Sequence, residues 1–177
     1  MSRAVLSIGS NIGDRLTHLQ SVCDGLGTAV VAASGVYSTP PWGGVEQQDF
    51  LNAVLIVDDA DRDAGQWLKA GQELEQQADR KRVQRWGPRT LDVDVISVPH
   101  DDGEVISDDP VLTLPHPRAA ERAFVLVPWL DADADAALWH AGARVPVTKL
   151  LAALPTSERE GVTRTDDRLV ITGSEPR

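Results

Sequence analysis

The spacing of apolar residues changes several times along the chain, and each change predicts an element. Residues 4–8 (Ala-Val-Leu-Ser-Ile) are a short apolar run that predicts a buried strand, closed by the turn Gly9-Ser10-Asn11. From Gly13-Asp14 onward the period lengthens. Leu16, Leu19, Val22, Cys23 and Leu26 recur at helical spacing, and Gly27 is a stop signal. The Val- and Ala-rich stretch 29–38 predicts a strand ending at Tyr37-Ser38. Thr39-Pro40-Pro41-Trp42-Gly43-Gly44 cannot be regular structure, because proline removes donors and Gly-Gly favours turning. A third strand follows over 50–57. Trp67, Leu68, Gly71 and Leu74 then predict a helix over 62–79 with Asp61 as its cap. The alternating, β-branched run 91–98 predicts another strand.

Later segments are less regular. Residues 99–110 read as a polar loop, and Leu112-Thr113-Leu114 leads into Pro115-His116-Pro117. A helical turn is expected around 118–122, ahead of the apolar run 123–130. A short helix over 146–153 and a last strand over 168–171 follow. The acidic stretch Asp131–Asp135 reads as a solvated helix start, where carboxylates suit the dipole. No repeat or linker divides the chain, so residues 1–177 are expected to form a single domain, with a core over about 4–155 and a polar C-terminal segment. The β-α-β-β-α-β order over 4–98 predicts an α+β, ferredoxin-like split βαβ fold. Its sheet should be mostly antiparallel, with helices packed on one face and C-terminal additions. Neither a G-x-G-x-x-G turn nor a Walker A loop is present.

Composition narrows the function classes. No apolar run approaches a membrane span and no signal peptide opens the chain, so a cytoplasmic protein without membrane attachment is expected. A net charge of −10 argues against nucleic acid as a partner. The one cysteine, Cys23, excludes an internal disulfide and any multi-cysteine metal site, and on its apolar helix face it reads as a buried hydrophobe.

The charge is unevenly spread. Arg80, Lys81, Arg82, Arg85 and Arg89 fall within ten residues that contain no acid. A run of this kind is ordinarily a solvated surface. Here it contains Arg-Trp-Gly-Pro-Arg, which needs a turn and places an aromatic beside cations whose mutual repulsion a visiting polyanion would relieve. Asp92 and Asp94 follow, two apart on a predicted strand and therefore on one face. Paired carboxylates repel unless a cation lies between them, and oxygen donors without cysteine suit Mg²⁺. Arginine, carboxylate and magnesium together point to phosphoryl transfer.

The twelve residues from Arg85 to Ile96 (RWGPRTLDVDVI) resemble the signature of the 6-hydroxymethyl-7,8-dihydropterin pyrophosphokinase family of folate biosynthesis. Gly9-Ser10-Asn11, Tyr37-x-Thr39-Pro40-Pro41, Phe50-Leu51-Asn52-Ala53 and Leu114-Pro115-His116 through Phe124 follow the family's order, covering roughly residues 4–130. The resemblance implies transfer of pyrophosphate from ATP to the pterin hydroxymethyl group, with release of AMP. It makes Asp92 and Asp94 ligands of two Mg²⁺ ions. It implies phosphate contacts from Arg89, His116 and Arg122, and loop arginines at Arg80 and Arg82. Gln72 and Glu75 would lie beside the nucleotide, and Trp86 would seal the closed site. Phe50 and Phe124 would sandwich the pterin, read by Asn52 and by backbone groups from Thr39, Pro40, Pro41 and Trp42. A monomer is implied.

Three positions depart from the family pattern. The stretch between Arg82 and Trp86 is one residue shorter, Asp79 precedes Arg80 where glycine is common, and Pro117 replaces an aromatic after His116. A nucleotidyltransferase also pairs Gly-Ser with D-x-D carboxylates, but closer together than Gly9-Ser10 and Asp92 are here, and it would release pyrophosphate. A non-catalytic nucleotide or metabolite sensor is the other alternative. Trp129 and Trp139 are expected in the core, Trp67 half-buried, and His18, His100 and His140 on the surface.

Overall fold

The computed structural model describes residues 3–41, 48–79, 90–100 and 103–173. Strand β1 (Arg3–Ser10) leads into helix α1 (Arg15–Leu26), then β2 (Val30–Ala33), β3 (Tyr37–Thr39) and β4 (Phe50–Asp58). Helix α2 (Ala64–Asp79) and β5 (Asp92–Ser97) complete the first half. Asp14 caps α1 by accepting the Thr17 N–H at 3.2 Å, and the hydrogen bonds from Thr17 hold its carboxyl below the ordinary value. The helix ends at Gly27, whose φ of 56° lies in the left-handed region. Helix α2 begins two residues later than the periodicity predicts. Asp63 rather than Asp61 caps it, because Asp63 and Gln66 form a reciprocal box in which each side chain accepts the other's N–H, at 2.8 and 2.7 Å.

The sheet runs β3–β4–β1–β5 with every pair antiparallel, and β2 also pairs with β4. This is the split βαβ arrangement that the element order predicts. The expected single strand over 29–38 is two strands, broken at Ser34-Gly35-Val36. Ser34 bridges the break: its N–H donates to the Val54 carbonyl, and its hydroxyl accepts the Val54 N–H, both at 2.9 Å.

Strand alternation sorts side chains onto two faces. Ala4, Leu6, Ile8, Ala53, Leu55, Val57, Val93 and Val95 face α1 and α2, where Trp67 is fully buried rather than half-buried. Val5, Val54, Ile56 and Ile96 face the opposite way, onto a second apolar cluster. Helices therefore cover both faces, not one. The sequence after β5 supplies the second layer.

That second half begins with two small hairpins, β6–β7 (Pro99–His100, Gly103–Glu104) and β8–β9 (Ser107–Asp109, Leu112–Leu114), where a polar loop is expected. A 3-10 turn at Ala119–Glu121 precedes α3 (Ala123–Ala132), which buries Val125, Leu126 and Trp129 against β4. A hairpin of β10 (Ala137–His140) and β11 (Ala143–Pro146) follows, and Trp139 on it is 42% exposed rather than in the core. Asp131 lies in the last turn of α3, not at a helix start. It accepts the Gly35 N–H at 2.8 Å and the Tyr37 hydroxyl at 3.0 Å. Burial, that hydrogen bond and the Asp131 charge raise the Tyr37 pKa.

Helices α4 (Val147–Ala152) and α5 (Thr156–Glu160) lead to β12 (Thr163–Arg164), which extends the sheet beyond β3. The expected strand over 168–171 is irregular chain. There Val170 exchanges two hydrogen bonds with the Gln20 side chain, at 2.8 and 2.9 Å, while Leu169 and Ile171 pack on the α1–α2 core.

Candidate functional site

The face of the sheet that carries the second apolar cluster changes character along its strands. On β4, Val54 and Ile56 are covered by α3, while Asn52 and Phe50 run on beyond the packed region. On β5, Ile96 is covered and Asp94 and Asp92 run on; on β1, Val5 gives way to Ser7 and Gly9. Together these polar ends floor a cleft of about 1000 Å³. Phe124, Arg122 and Glu121 at the start of α3 form one side, with Arg118 beside them. Thr39, Pro40 and Pro41 form another, and Ser157, Glu158, Gly161 and Val162 line it from the C-terminal segment.

Register fixes the cleft's chemistry. Gly9 is the Cα partner of Asn52 across β4 and of Asp92 across β5; Ser7 faces Asp94. A Cβ on Gly9 would stand 2.9 Å from Asn52 Oδ1, so glycine makes room for that amide. Asn52 is buried and donates from Nδ2 to Thr39 Oγ1 at 2.9 Å, which orients the amide and ties β4 to the start of the Pro-Pro segment. Phe50 and Phe124 are both half-buried and both line the cleft. The Arg122 guanidinium lies 5.5 Å from the centre of the Phe124 ring.

Asp92 and Asp94 are half-buried on one face of β5, as their spacing predicts. Between them, Val93 turns its side chain toward α2, and its N–H donates to Glu75 Oε1 at 2.9 Å. Glu75 thus reaches from α2 to the outer edge of the strand that bears both aspartates. Gly71, one turn earlier, lets that helix close on the strand: its Cβ would meet Val93 Cγ1 at 2.9 Å. Among the described residues no group of three His, Cys, Asp or Glu side chains could alone hold a metal ion. Two hard carboxylates in an open cleft fit Mg²⁺, which binds through one or two protein carboxylates and takes its other ligands from substrate phosphates and water.

His116 is anchored by its N–H to the Ile96 carbonyl at 2.8 Å. Its Nδ1 accepts the Arg118 N–H at 3.2 Å, which places the proton of the neutral ring on Nε2. Burial lowers its pKa; the Asp94 charge acts in the opposite direction, and Arg122 and Arg118 add to the lowering. Burial thus favours the neutral ring, with Nε2 left as its donor.

The structure thus brings Asp92, Asp94, Arg122, Thr39, Pro40, Pro41, Phe50, Asn52 and Phe124 into one cleft. Gln72 is exposed on α2 and, like Glu75 and His116, is not part of the lining. Arg80, Arg82, Trp86, Arg89 and Trp42 lie outside the described residues. Sequence reasoning missed Gly9 as a spacer, Arg118 and Glu121 beside the cleft, and the four C-terminal lining residues. Only Gly9 carried a signal, since a glycine at the end of a buried strand marks a close backbone approach.

A family model described as "7,8-dihydro-6-hydroxymethylpterin-pyrophosphokinase (HPPK)" matches residues 5–134. The chain is 57% identical over 182 residues to the 2-amino-4-hydroxy-6-hydroxymethyldihydropteridine pyrophosphokinase of Mycobacterium leprae, covering 99% of this chain and 95% of that protein. It is 53% identical over 167 residues to the Mycobacterium tuberculosis H37Rv protein of the same name, covering 92% and 89%. Among solved structures, the wild-type Plasmodium falciparum HPPK-DHPS with SDX-DHP matches with a TM-score of 0.60 at 13% identity, covering 86% of this chain and 43% of that one. That last likeness is one of fold; the chain spans less than half of the solved protein.

Proposed function

The chain belongs to the 7,8-dihydro-6-hydroxymethylpterin-pyrophosphokinase family, and we propose that its cleft holds the pterin between Phe50 and Phe124 and the ATP phosphates at the Asp92–Asp94 corner. The enzyme transfers pyrophosphate from ATP to the hydroxymethyl group of 6-hydroxymethyl-7,8-dihydropterin, giving the pterin diphosphate and AMP. The alcohol oxygen bonds to the β-phosphorus, the bond from that phosphorus to the AMP oxygen breaks, and the hydroxyl proton is released.

Each residue's part follows from what it offers. Phe50 and Phe124 give the flat heterocycle apolar contact on its two faces. Asn52, oriented by Thr39, presents Oδ1 as an acceptor for ring-edge N–H groups. The wrong heterocycle would leave that buried amide unpaired, which is how a polar site rejects analogues. Asp92 and Asp94 would hold two Mg²⁺ ions, whose charge neutralises the triphosphate and the departing AMP. Neutral His116 donates from Nε2 to a phosphate oxygen, and Arg122 adds a cation at the cleft's side. Arg80, Arg82, Arg89 and Trp86 belong to the same proposal on the strength of the family motif. A monomer belongs to the same proposal, on the strength of the family resemblance.

The observation that supports the assignment is the shared register partner Gly9, which sets Asn52 and the acidic pair on one floor. The test mixes the protein with ATP, Mg²⁺ and 6-hydroxymethyl-7,8-dihydropterin and separates products by chromatography. AMP equimolar with pterin diphosphate supports the reading. Pyrophosphate in place of AMP would indicate nucleotidyl transfer instead.

A further inference from the structure

The C-terminal segment enters the cleft by a route the motif does not cover, since the family match ends at residue 134. Helix α5 packs against α3, the helix that carries Phe124, and Ser157, Glu158, Gly161 and Val162 line the cleft beside Pro40. A Cβ on Gly161 would stand 4.0 Å from the Pro40 ring carbon Cδ, in ordinary contact, so a side chain larger than alanine there would crowd the proline. Just past the lining residues, β12 pairs with β3, matching Thr163 to Ser38 and Arg164 to Tyr37. Thr165 adds two bonds to the Val36 carbonyl, 2.9 Å from its N–H and 2.8 Å from its hydroxyl. Arg164 lies 3.7 Å from Asp131, whose other oxygen holds Gly35 and Tyr37.

These contacts do two things. They tie the C-terminal segment to β3 immediately before Thr39, the residue that orients Asn52. They also join β3 to the last turn of α3, so both carriers of pterin-side residues are braced by the same strand. A peptide held only by exposed contacts would be free to yield to a larger ligand; a paired strand with an anchored flank resists.

We propose that Ser157, Glu158, Gly161 and Val162 form a substrate-selecting wall of the pterin pocket: set beside Pro40 and braced by β12, it excludes pterins with extra bulk on the edge turned toward it. The role rests on the pyrophosphokinase reading for its ligand, yet it makes a separate claim about these residues. The hydrophobic contact falls to Val162 and Pro40. Glu158 adds a negative charge to the same wall, which disfavours anionic ring substituents.

Two variants test it, Gly161→Leu, which crowds Pro40, and Val162→Ala, which opens the wall. Each is assayed for AMP formation with the natural pterin and with a ring-alkylated analogue, and for equilibrium pterin binding by fluorescence without ATP. Gly161→Leu should raise the pterin KM at least tenfold, roughly what a methylene-scale misfit brings, while kcat and the ATP KM stay within about twofold. Val162→Ala should shift kcat/KM toward the alkylated analogue by roughly fivefold or more. If Gly161→Leu fails to fold, Val162→Ala alone decides. Folded variants with unchanged pterin KM, binding and analogue preference would overturn the wall while leaving the pyrophosphokinase reading intact. Wild-type protein that binds pterin but makes no AMP would sink that reading, and weaker pterin binding by Gly161→Leu would still uphold the wall.

Discussion

Asn52 and Asp92 flank one residue: Gly9 of the central strand is the register partner of both, one across β4 and the other across β5. Neighbouring strands lie about 4.8 Å apart, so Asn52 and Asp92 stand roughly 10 Å from each other across β1. That distance is set by backbone hydrogen bonding, the stiffest ruler a protein has. On the proposed reading, the two substrates would meet along it.

Gly9→Ala tests the ruler's centre. The new methyl would press on Asn52 Oδ1, a side-chain atom that can swing only by giving up Thr39. We expect the pterin KM to rise at least about tenfold, with a stability loss of roughly 1–2 kcal/mol. Steady-state kinetics alongside urea unfolding will show it; an unchanged pterin KM in a folded protein would argue against Asn52 as the reader.

Glu75 should act through β5 rather than on substrate. Glu75→Ala takes the carboxylate acceptor from the Val93 N–H, costing about 1–2 kcal/mol, and loosens the strand between Asp92 and Asp94. Glu75→Gln keeps an acceptor. Activity measured against Mg²⁺ concentration should therefore show a higher Mg²⁺ requirement for the alanine variant and substantial recovery for glutamine. Equal defects in both would point to a role for the charge itself.

Asp94→Asn preserves shape and removes one carboxylate from the corner. AMP formation should fall by at least about a hundredfold, the scale of losing a charge-stabilising group. Pterin binding, followed by fluorescence titration, should be retained, as should the melting temperature. Loss of pterin binding together with lowered melting would recast Asp94 as structural.

Cys23 is 1% exposed between α1 and the sheet, and burial pushes its thiol up to about 11 from 9.0. The sign follows from proton counting: between pH 9 and 11 the unfolded chain has lost this proton while the folded one keeps it. Stability is full below pH 9 and falls as pH rises toward 11, by up to roughly 1.4 kcal/mol per unit. Alkylation at pH 8 should be negligible on native protein and complete in denaturant. Rapid native labelling would contradict the burial.

Most of the sheet was legible because its strands alternate cleanly. Phe50, Asn52, Val54 and Ile56 on one side, and Leu51, Ala53, Leu55 and Val57 on the other, state two faces in one line of sequence. What the alternation did not reveal was that both faces are covered, since that depends on α3 returning from beyond β5. The break at Ser34 was hidden because a hydroxyl there replaces a backbone acceptor without disturbing the pattern. The β10–β11 hairpin was hidden for another reason. Its turn uses Ala141 and Gly142 at φ of 51° and 80°, and alanine gives no hint of that conformation. The motif residues that line the cleft were legible through the family resemblance, whose order along the chain they follow. Gly161 and Val162 carry no chemistry of their own and matter only through what the fold sets beside them.

The cleft's lining runs from Ser7 to Val162, so nearly the whole of the described chain has to be in place before the pocket is complete. During translation the β1–β4 and β1–β5 pairings can form as soon as residue 97 clears the ribosome, giving a sheet with its acidic corner already assembled. The C-terminal lining, Ser157 to Val162, arrives some sixty residues later. At elongation rates of about 5–20 residues per second, several seconds separate a sheet able to pair from a cleft with its full lining. The cleft is therefore closed only by a chain whose synthesis has passed residue 162.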